Sequence, residues 1–176
     1  MLRALVKLII RTRFRLSRRE AVCAQIRKTG EIYLEIAEKI DPELASTPKE
    51  VPALFGVDED MRHWSFYQVL EHNVIVNRNI TLLVQSLARG EVPESGFDPK
   101  KDVMPSPDAG VEQVEAFRYS LVEHVQAVGK LGKMRGTVKK RHPVFGMLDA
   151  HGWHCMFGLH LTLHVKQSQI LAGGIK

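Results

Sequence analysis

Hydrophobic residues recur three and four positions apart along four long segments of the chain, a spacing that predicts amphipathic helices. The predicted helices cover residues 18–40, 63–88, 108–134 and 149–171. Pro42 ends the first, because a proline disfavours helical conformation in the residue before it, and Gly90 ends the second. Four such helices predict an all-α fold, a four-helix bundle in which every apolar stripe faces a common core.

Long connectors rich in proline separate the first three helices. The connector over residues 42–62 contains Val51, Leu54, Phe55 and Val57, which predicts that it packs across one end of the bundle. A chain of 176 residues is long enough to bury the core of one domain. We therefore expect a bundle domain over residues 18–176 and a separate arm over residues 1–17.

The N-terminal arm is strongly basic, since residues 1–19 contain seven Lys or Arg and no acidic residue. Leucines and isoleucines lie between these charges and predict an amphipathic helix. It is open whether this helix is an organelle-targeting peptide, lies on an anionic membrane surface, or packs on the domain or a second subunit. The remaining 18 basic residues nearly balance 20 acidic ones, so nucleic-acid binding by the main body is not expected.

The remaining composition narrows the function classes. Cys23 and Cys155 both lie in helical patterns, so we expect them to be unpaired and not catalytic, in a protein of the reducing cytoplasm. No segment approaches the ~18 apolar residues that a transmembrane helix requires. No phosphate loop, nucleotide fingerprint, zinc ribbon or nucleophile elbow is present either.

The fourth predicted helix carries the most informative pattern. Two imidazoles and an amide interrupt its apolar stripe, whose members are Trp153, Met156, Phe157, His160, Leu163, His164, Gln167 and Leu171. Histidines four residues apart on one helix face can share a metal ion, and buried imidazoles need bonding partners. The alternative is that both are bonded to neighbouring carbonyl groups.

A third imidazole, His72, favours the metal. It lies beside the apolar stripe of the second helix, and a four-helix bundle can bring it to His160 and His164. Gln167 can hydrogen-bond one of these ligands. His124, at the edge of the third helix's stripe, is a further ligand candidate, but we expect it to be a partly exposed surface residue. We expect Cys155 to be a small packed hydrophobe. The other histidines are expected in loops or on outer faces, namely His63, His142, His151 and His154.

Three short motifs resemble those of the DinB/YfiT-like superfamily of metalloenzymes. Trp64-Ser65 followed by 69–72, Val-Leu-Glu-His, is similar to the second helix of that family. His160-x-x-x-His164-x-x-Gln167 is similar to its fourth-helix signature. The segment 142–153, from His-Pro-Val-Phe-Gly to Trp153, resembles an uncharacterised branch of the family. The resemblance covers residues 18–171.

The resemblance implies a four-helix bundle with a divalent metal ion, zinc or nickel, bound by His72, His160 and His164. It further implies a homodimer and an enzyme that acts on a small-molecule substrate, with low-molecular-weight thiols as co-substrates in transferases and an isomerase of the family. Val165-Lys166 departs from the Arg-Gly of many members. The competing hypothesis is a non-catalytic helical module that uses its basic arm to bind a membrane or a partner protein.

Overall fold

The computed structural model describes residues 2–94 and 101–174. Six α-helices lie in these ranges: α1 (Leu2–Leu16), α2 (Arg19–Lys39), α3 (Pro42–Ser46), α4 (Phe66–Ala88), α5 (Glu112–Lys130) and α6 (Ala150–Leu171). A 3₁₀ turn covers Glu59–His63, and a two-stranded antiparallel sheet is formed by β1 (Lys140–His142) and β2 (Gly146–Leu148).

Four of the helices form a bundle, which confirms the all-α fold predicted from the hydrophobic spacing. α4 packs against α5 and α6, and α2 packs against α6 and α5, so that the order around the bundle is α2, α6, α4, α5. Aromatic and aliphatic side chains from all four helices fill the core, among them Tyr33, Phe66, Phe117 and Phe157, each fully buried. The predicted metal ligands lie on α4 and α6, which are neighbours in this order.

Local capping fixes the ends of the two helices that carry these ligands. Ser65 and Gln68 form a reciprocal capping box at the start of α4. Asp149 caps α6 by accepting a hydrogen bond from Gly152 N at 2.8 Å. α5 is shorter than the predicted 108–134, because the chain becomes extended at Leu131, between two glycines.

The hairpin of β1 and β2 was not predicted, because strands of three residues are too short to show an alternating pattern. Gly146 has φ of 74°, a conformation that suits glycine, at the end of the turn. His142 stabilises the turn, since its Nδ1 accepts hydrogen bonds from Val144 N at 3.0 Å and Phe145 N at 3.3 Å. The segment that precedes α6 is therefore an ordered hairpin.

The first connector packs on the bundle as predicted, but only through part of its apolar set. Val51 and Val57 are buried, whereas Phe55 is 75% exposed. A Cβ at Gly56, which has φ of 82°, would lie 2.8 Å from Leu163 Cδ1, so the loop backbone approaches α6 closely at this point. The connector thereby covers the end of α6 that carries His164.

α1 lies outside the four bundle helices and contacts α6. Its last turn takes part in the core, because Phe14 is buried and its ring lies 6.1 Å from that of Phe145. The expectation that the whole arm lies outside the core is therefore wrong for Phe14. The division of the chain at residue 17 stays a prediction. No helix in the described residues is long and apolar enough to cross a membrane.

Candidate metal centre

The bundle brings His72, His160 and His164 together between α4 and α6. One nitrogen from each imidazole lies within 4.8 Å of one nitrogen from each of the other two. The ring centroids are 4.8 to 5.1 Å apart. This arrangement requires a tertiary contact across 88 residues, between His72 on α4 and His160 on α6.

His72 is held by a backbone carbonyl from the second connector. The side chain is buried, and Nδ1 donates a hydrogen bond to Val103 O at 2.8 Å. A neutral imidazole that donates from Nδ1 has a lone pair on Nε2. That lone pair faces His160, because the two Nε2 atoms are 3.2 Å apart. Trp64 supports the other side of the ring, with centroids 5.0 Å apart.

Gln167 fixes the tautomer of His164 in the same way. Its amide nitrogen donates to Met61 O at 2.6 Å, so its oxygen must face the histidine and accept from Nδ1 at 2.9 Å. Nε2 of His164 is then the atom that carries a lone pair. The contact predicted between Gln167 and a neighbouring histidine is present, and it orients the imidazole rather than merely packing against it.

His160 has a hydrogen-bonding problem that its two neighbours do not have. Its Nδ1 is buried without a hydrogen-bond partner in the described part of the chain. If Nε2 donates to His72, Nδ1 is a buried, unsatisfied acceptor, which costs about 1–3 kcal/mol. If Nδ1 holds the proton, two Nε2 lone pairs face each other at 3.2 Å.

A cation bound between the Nε2 atoms would remove the second conflict. Nitrogens at about 2.0–2.1 Å from one tetrahedral ion are about 3.3 Å apart, close to the separation that the two imidazoles already have. The donor set is three imidazoles without a carboxylate or thiolate in the cluster. These residues could therefore hold a metal ion, which neutral imidazole suits as a ligand.

Burial also keeps the three imidazoles in the neutral form that a metal requires. It lowers the pKa of His72 to about 3, with the neighbouring His164 as the second cause. The pKa of His160 lies well below its usual value, because of burial first and the two nearby imidazoles second. Burial lowers the pKa of His164 as well, although Gln167 and Asp58 act in the opposite direction.

The cluster is not equally covered on all sides. His72 and His164 are each 1% exposed, and only His160 is partly exposed. Val103 covers the ring of His72, and the 3₁₀ turn that contains Met61 covers Gln167 and His164. Of the three histidines, His160 is therefore the one with the greatest exposure to solvent.

A second group of histidines lies deeper in the bundle, where the sequence predicted none. His124 and His154 are both 0% exposed and His151 is 3% exposed, so the expectation of surface or loop positions is wrong for all three. The reason lies in α6: every residue from Ala150 to Gly158 is buried, so this half of the helix has no outer face. On such a helix, the position of a residue relative to the apolar stripe does not predict whether it is exposed.

Hydrogen bonds join this second group across the bundle. Thr81 Oγ1 lies 2.8 Å from His124 Nδ1, and His124 Nε2 lies 2.9 Å from His154 Nδ1. His154 Nε2 lies 3.3 Å from Arg19 O. Every imidazole nitrogen is paired when Thr81 donates to His124, His124 to His154, and His154 to the carbonyl. In that arrangement the Thr81 hydroxyl no longer donates to Asn77 O, which lies 2.7 Å away in the same helix. This chain of hydrogen bonds connects all four bundle helices. Both nitrogens of each imidazole have a partner in it, unlike those of His160.

Neither cysteine has the environment of a nucleophile. Cys23 and Cys155 are free and buried. Burial raises the pKa of Cys155 to about 12 and also raises that of Cys23, which disfavours the reactive thiolate. Of the remaining histidines, His63 is exposed in the 3₁₀ turn, as expected, and His142 is half-buried in the hairpin against Trp153.

The backbone carbonyls that orient the cluster could not be found from the sequence. Val103 and Met61 lie in connectors, and the functional atom of each is the oxygen that every residue possesses. The only sequence signal nearby is Trp64, which belongs to the second-helix motif and packs on His72.

No protein-family model matches the chain, and no curated protein matches it. Among solved structures, the chain is similar to TT2238, whose crystal structure is described as that of a four-helix bundle protein. The TM-score is 0.62 at 18% sequence identity, over 87% of this chain and 99% of that chain. At this identity the similarity shows the fold, a four-helix bundle, and does not transfer a function.

Proposed function

We propose that the protein is a metal-dependent enzyme of the DinB/YfiT-like type, with one divalent ion bound by His72, His160 and His164. The observation that carries the proposal is the pair of Nε2 atoms that face each other at 3.2 Å within a cluster of three closely spaced imidazoles. A purely structural cluster would satisfy its own nitrogens, as His124 and His154 do.

The protein residues have three separate tasks in this proposal. Val103 and Gln167 hold the proton of His72 and His164 on Nδ1, so that both Nε2 atoms are free to bind. Burial by the two connectors keeps the imidazoles neutral and the site dry on two sides. A divalent ion held by three imidazoles supplies Lewis acidity with coordination positions left for a small-molecule substrate, water or thiol.

The side of His160 is the one from which a substrate would reach the site, because the other two imidazoles are covered. The family resemblance proposes a low-molecular-weight thiol as co-substrate and a transfer reaction, with hydrolysis as the related alternative. No side chain of the protein needs to act as nucleophile, which agrees with the buried, poorly ionised cysteines.

Cobalt substitution tests this function, because tetrahedral cobalt reports its ligands in the visible spectrum. We expect the wild-type protein loaded with Co²⁺ to show a changed spectrum on addition of glutathione or cysteine, with a new sulfur-to-cobalt band. The His160→Ala/His164→Ala variant should show no such band. A wild-type spectrum that no small thiol changes would contradict the thiol-dependent reaction, and water-dependent hydrolysis would replace it.

A further inference from the structure

The outward face of α1 is apolar and has no partner within the described chain. Leu5, Leu8, Ile9 and Leu16 are between 54% and 77% exposed. At 100° per residue these four side chains lie within about one third of the helix circumference, so that they form one stripe along the helix. Exposed stripes of this kind mark sites of protein or membrane interaction.

The opposite face of α1 is fixed to the body of the protein, so the stripe is held outward. Phe14 is buried against Phe145, and Phe14 O is 3.1 Å from His151 Nε2. Arg135 donates a hydrogen bond to Ser17 O just after the helix. These contacts orient α1 with its apolar stripe away from the bundle.

Basic side chains border the stripe on both sides. Arg11 and Arg15 follow it on one side and Arg13 on the other, and all three are exposed. The helix Leu2–Leu16 contains no acidic residue. Long arginine side chains can keep their charge among polar head groups while an adjacent apolar stripe is buried.

The hairpin next to α1 also exposes apolar and basic side chains. Its Phe145 packs on Phe14, and a Cβ at Gly146 would lie 3.7 Å from Arg11 Nη1. The hairpin contains two half-exposed apolar side chains, Val144 and Met147, and an exposed Arg141. Apolar and basic groups are therefore exposed together on the element that adjoins the helix.

We propose that α1 is a membrane-binding helix that lies in the interface of an anionic lipid bilayer. Leu5, Leu8 and Ile9 would enter the boundary between head groups and acyl chains, and the flanking arginines would contact lipid phosphates. A second copy of the chain fits this face less well, because two such helices would bring rows of like charges together. A nucleic acid would use the charges but would leave the apolar stripe in water.

Vesicle sedimentation tests the proposal with the full-length protein. The probe is a vesicle of phosphatidylcholine with about 30 mol % phosphatidylserine, compared with phosphatidylcholine alone. We expect binding to the anionic vesicles, at least tenfold weaker binding to the neutral ones, and a loss on raising salt from about 0.1 M to about 0.5 M. The variant Leu5→Ser/Leu8→Ser/Ile9→Ser should lose at least about tenfold in affinity.

A control variant, Leu82→Ser/Tyr119→Ser, removes apolar groups exposed on α4 and α5 instead and should bind like wild type. Circular dichroism should show both variants folded, since all the substituted side chains are exposed. Equal binding by the arm variant and wild type, or no binding by wild type, would overturn the proposal. So would a wild-type dimer in light scattering that the arm substitutions convert to a monomer, because a second copy would then occupy this face.

Discussion

His72 on α4 and His160 on α6 face each other through their Nε2 atoms at 3.2 Å. Because His72 Nδ1 donates a hydrogen bond to Val103 O, its Nε2 carries a lone pair. The buried Nδ1 of His160 has no partner in the described residues. If Nε2 of His160 donates to His72, only the buried Nδ1 of His160 is unsatisfied. If Nδ1 holds the proton, two lone pairs face each other, and a cation between them would remove this repulsion. The facing Nε2 atoms therefore support the metal hypothesis in addition to the residue spacing.

Replacement of Gln167 tests the support of His164 without removing a ligand. Gln167→Ala removes the acceptor for His164 Nδ1 and leaves Met61 O without its donor. We expect zinc affinity to fall about 10- to 100-fold, as for other residues that orient metal-bound histidines. Competition with a chromophoric chelator measures this affinity. Gln169→Ala, two residues further along α6, is the matched control and should bind zinc like wild type.

The buried pair His124 and His154 predicts a loss of stability in acid. Burial lowers the pKa of His154 to about 4 and that of His124 well below its usual value. The unfolded pKa is about 6.5, so the neutral folded state is fully favoured above that pH. The contribution of the neutral imidazoles to the free energy of unfolding is lost as the pH falls from about 6.5 towards 4, by up to about 1.4 kcal/mol per pH unit for each imidazole.

Urea unfolding in the presence of a chelator, repeated between about pH 7.5 and pH 4.5, measures this dependence. The exposed His63 provides the control, since His63→Ala should keep the wild-type slope. His154→Phe should have a shallower slope below about pH 6.5, together with lower stability at neutral pH. If the free energy of unfolding of His154→Phe has the same pH dependence as that of the wild type, protonation of the pair does not contribute to the loss of stability in acid.

Substitution by alanine is expected to change the stability of the protein in opposite directions at two helical glycines. A Cβ at Gly30 on α2 would collide with Leu121 Cδ1 of α5, whereas a Cβ at Gly129 meets nothing within 4 Å. We expect Gly30→Ala to destabilise the protein by up to about 2 kcal/mol, because overpacking costs about 1–3 kcal/mol and helix propensity offsets up to about 1 kcal/mol of it. Gly129→Ala should stabilise it by up to about 1 kcal/mol through helix propensity. Thermal unfolding of the two variants side by side checks both signs, and a stabilising Gly30→Ala would contradict the packing of α2 on α5.

The attachment of α1 can be tested with a similar pair. Phe14 is buried and Leu16 is 77% exposed, although the two lie in the same turn of the helix. We expect Phe14→Ala to lower the free energy of unfolding by about 3 kcal/mol, and Leu16→Ala to change it by less than about 0.5 kcal/mol. Equal effects in denaturant unfolding would show that α1 does not dock as the structure has it.

Helical periodicity was sufficient to predict the bundle, and together with the resemblance of three short motifs to a known family it predicted the meeting of His72 with His160 and His164. It succeeded for His160 and His164 because the second half of α6 has an outer side, on which Thr162 and Lys166 are exposed. It failed for His124, His151 and His154, because the first half of α6 is buried all round and α5 turns His124 inward at the edge of its stripe. The hairpin and the carbonyls of Met61 and Val103 leave no residue-type signal, and only the folded chain reveals them.

The metal content of protein purified without a histidine tag tests the central claim most directly. Elemental analysis by plasma mass spectrometry should find about one zinc or nickel per chain in the wild type. His160→Ala/His164→Ala should contain less than about a tenth of that amount, whereas His63→Ala should match the wild type. Full metal content in the double variant, or wild-type protein that takes up no zinc or nickel even when either is added in excess, would contradict a metal centre at these histidines.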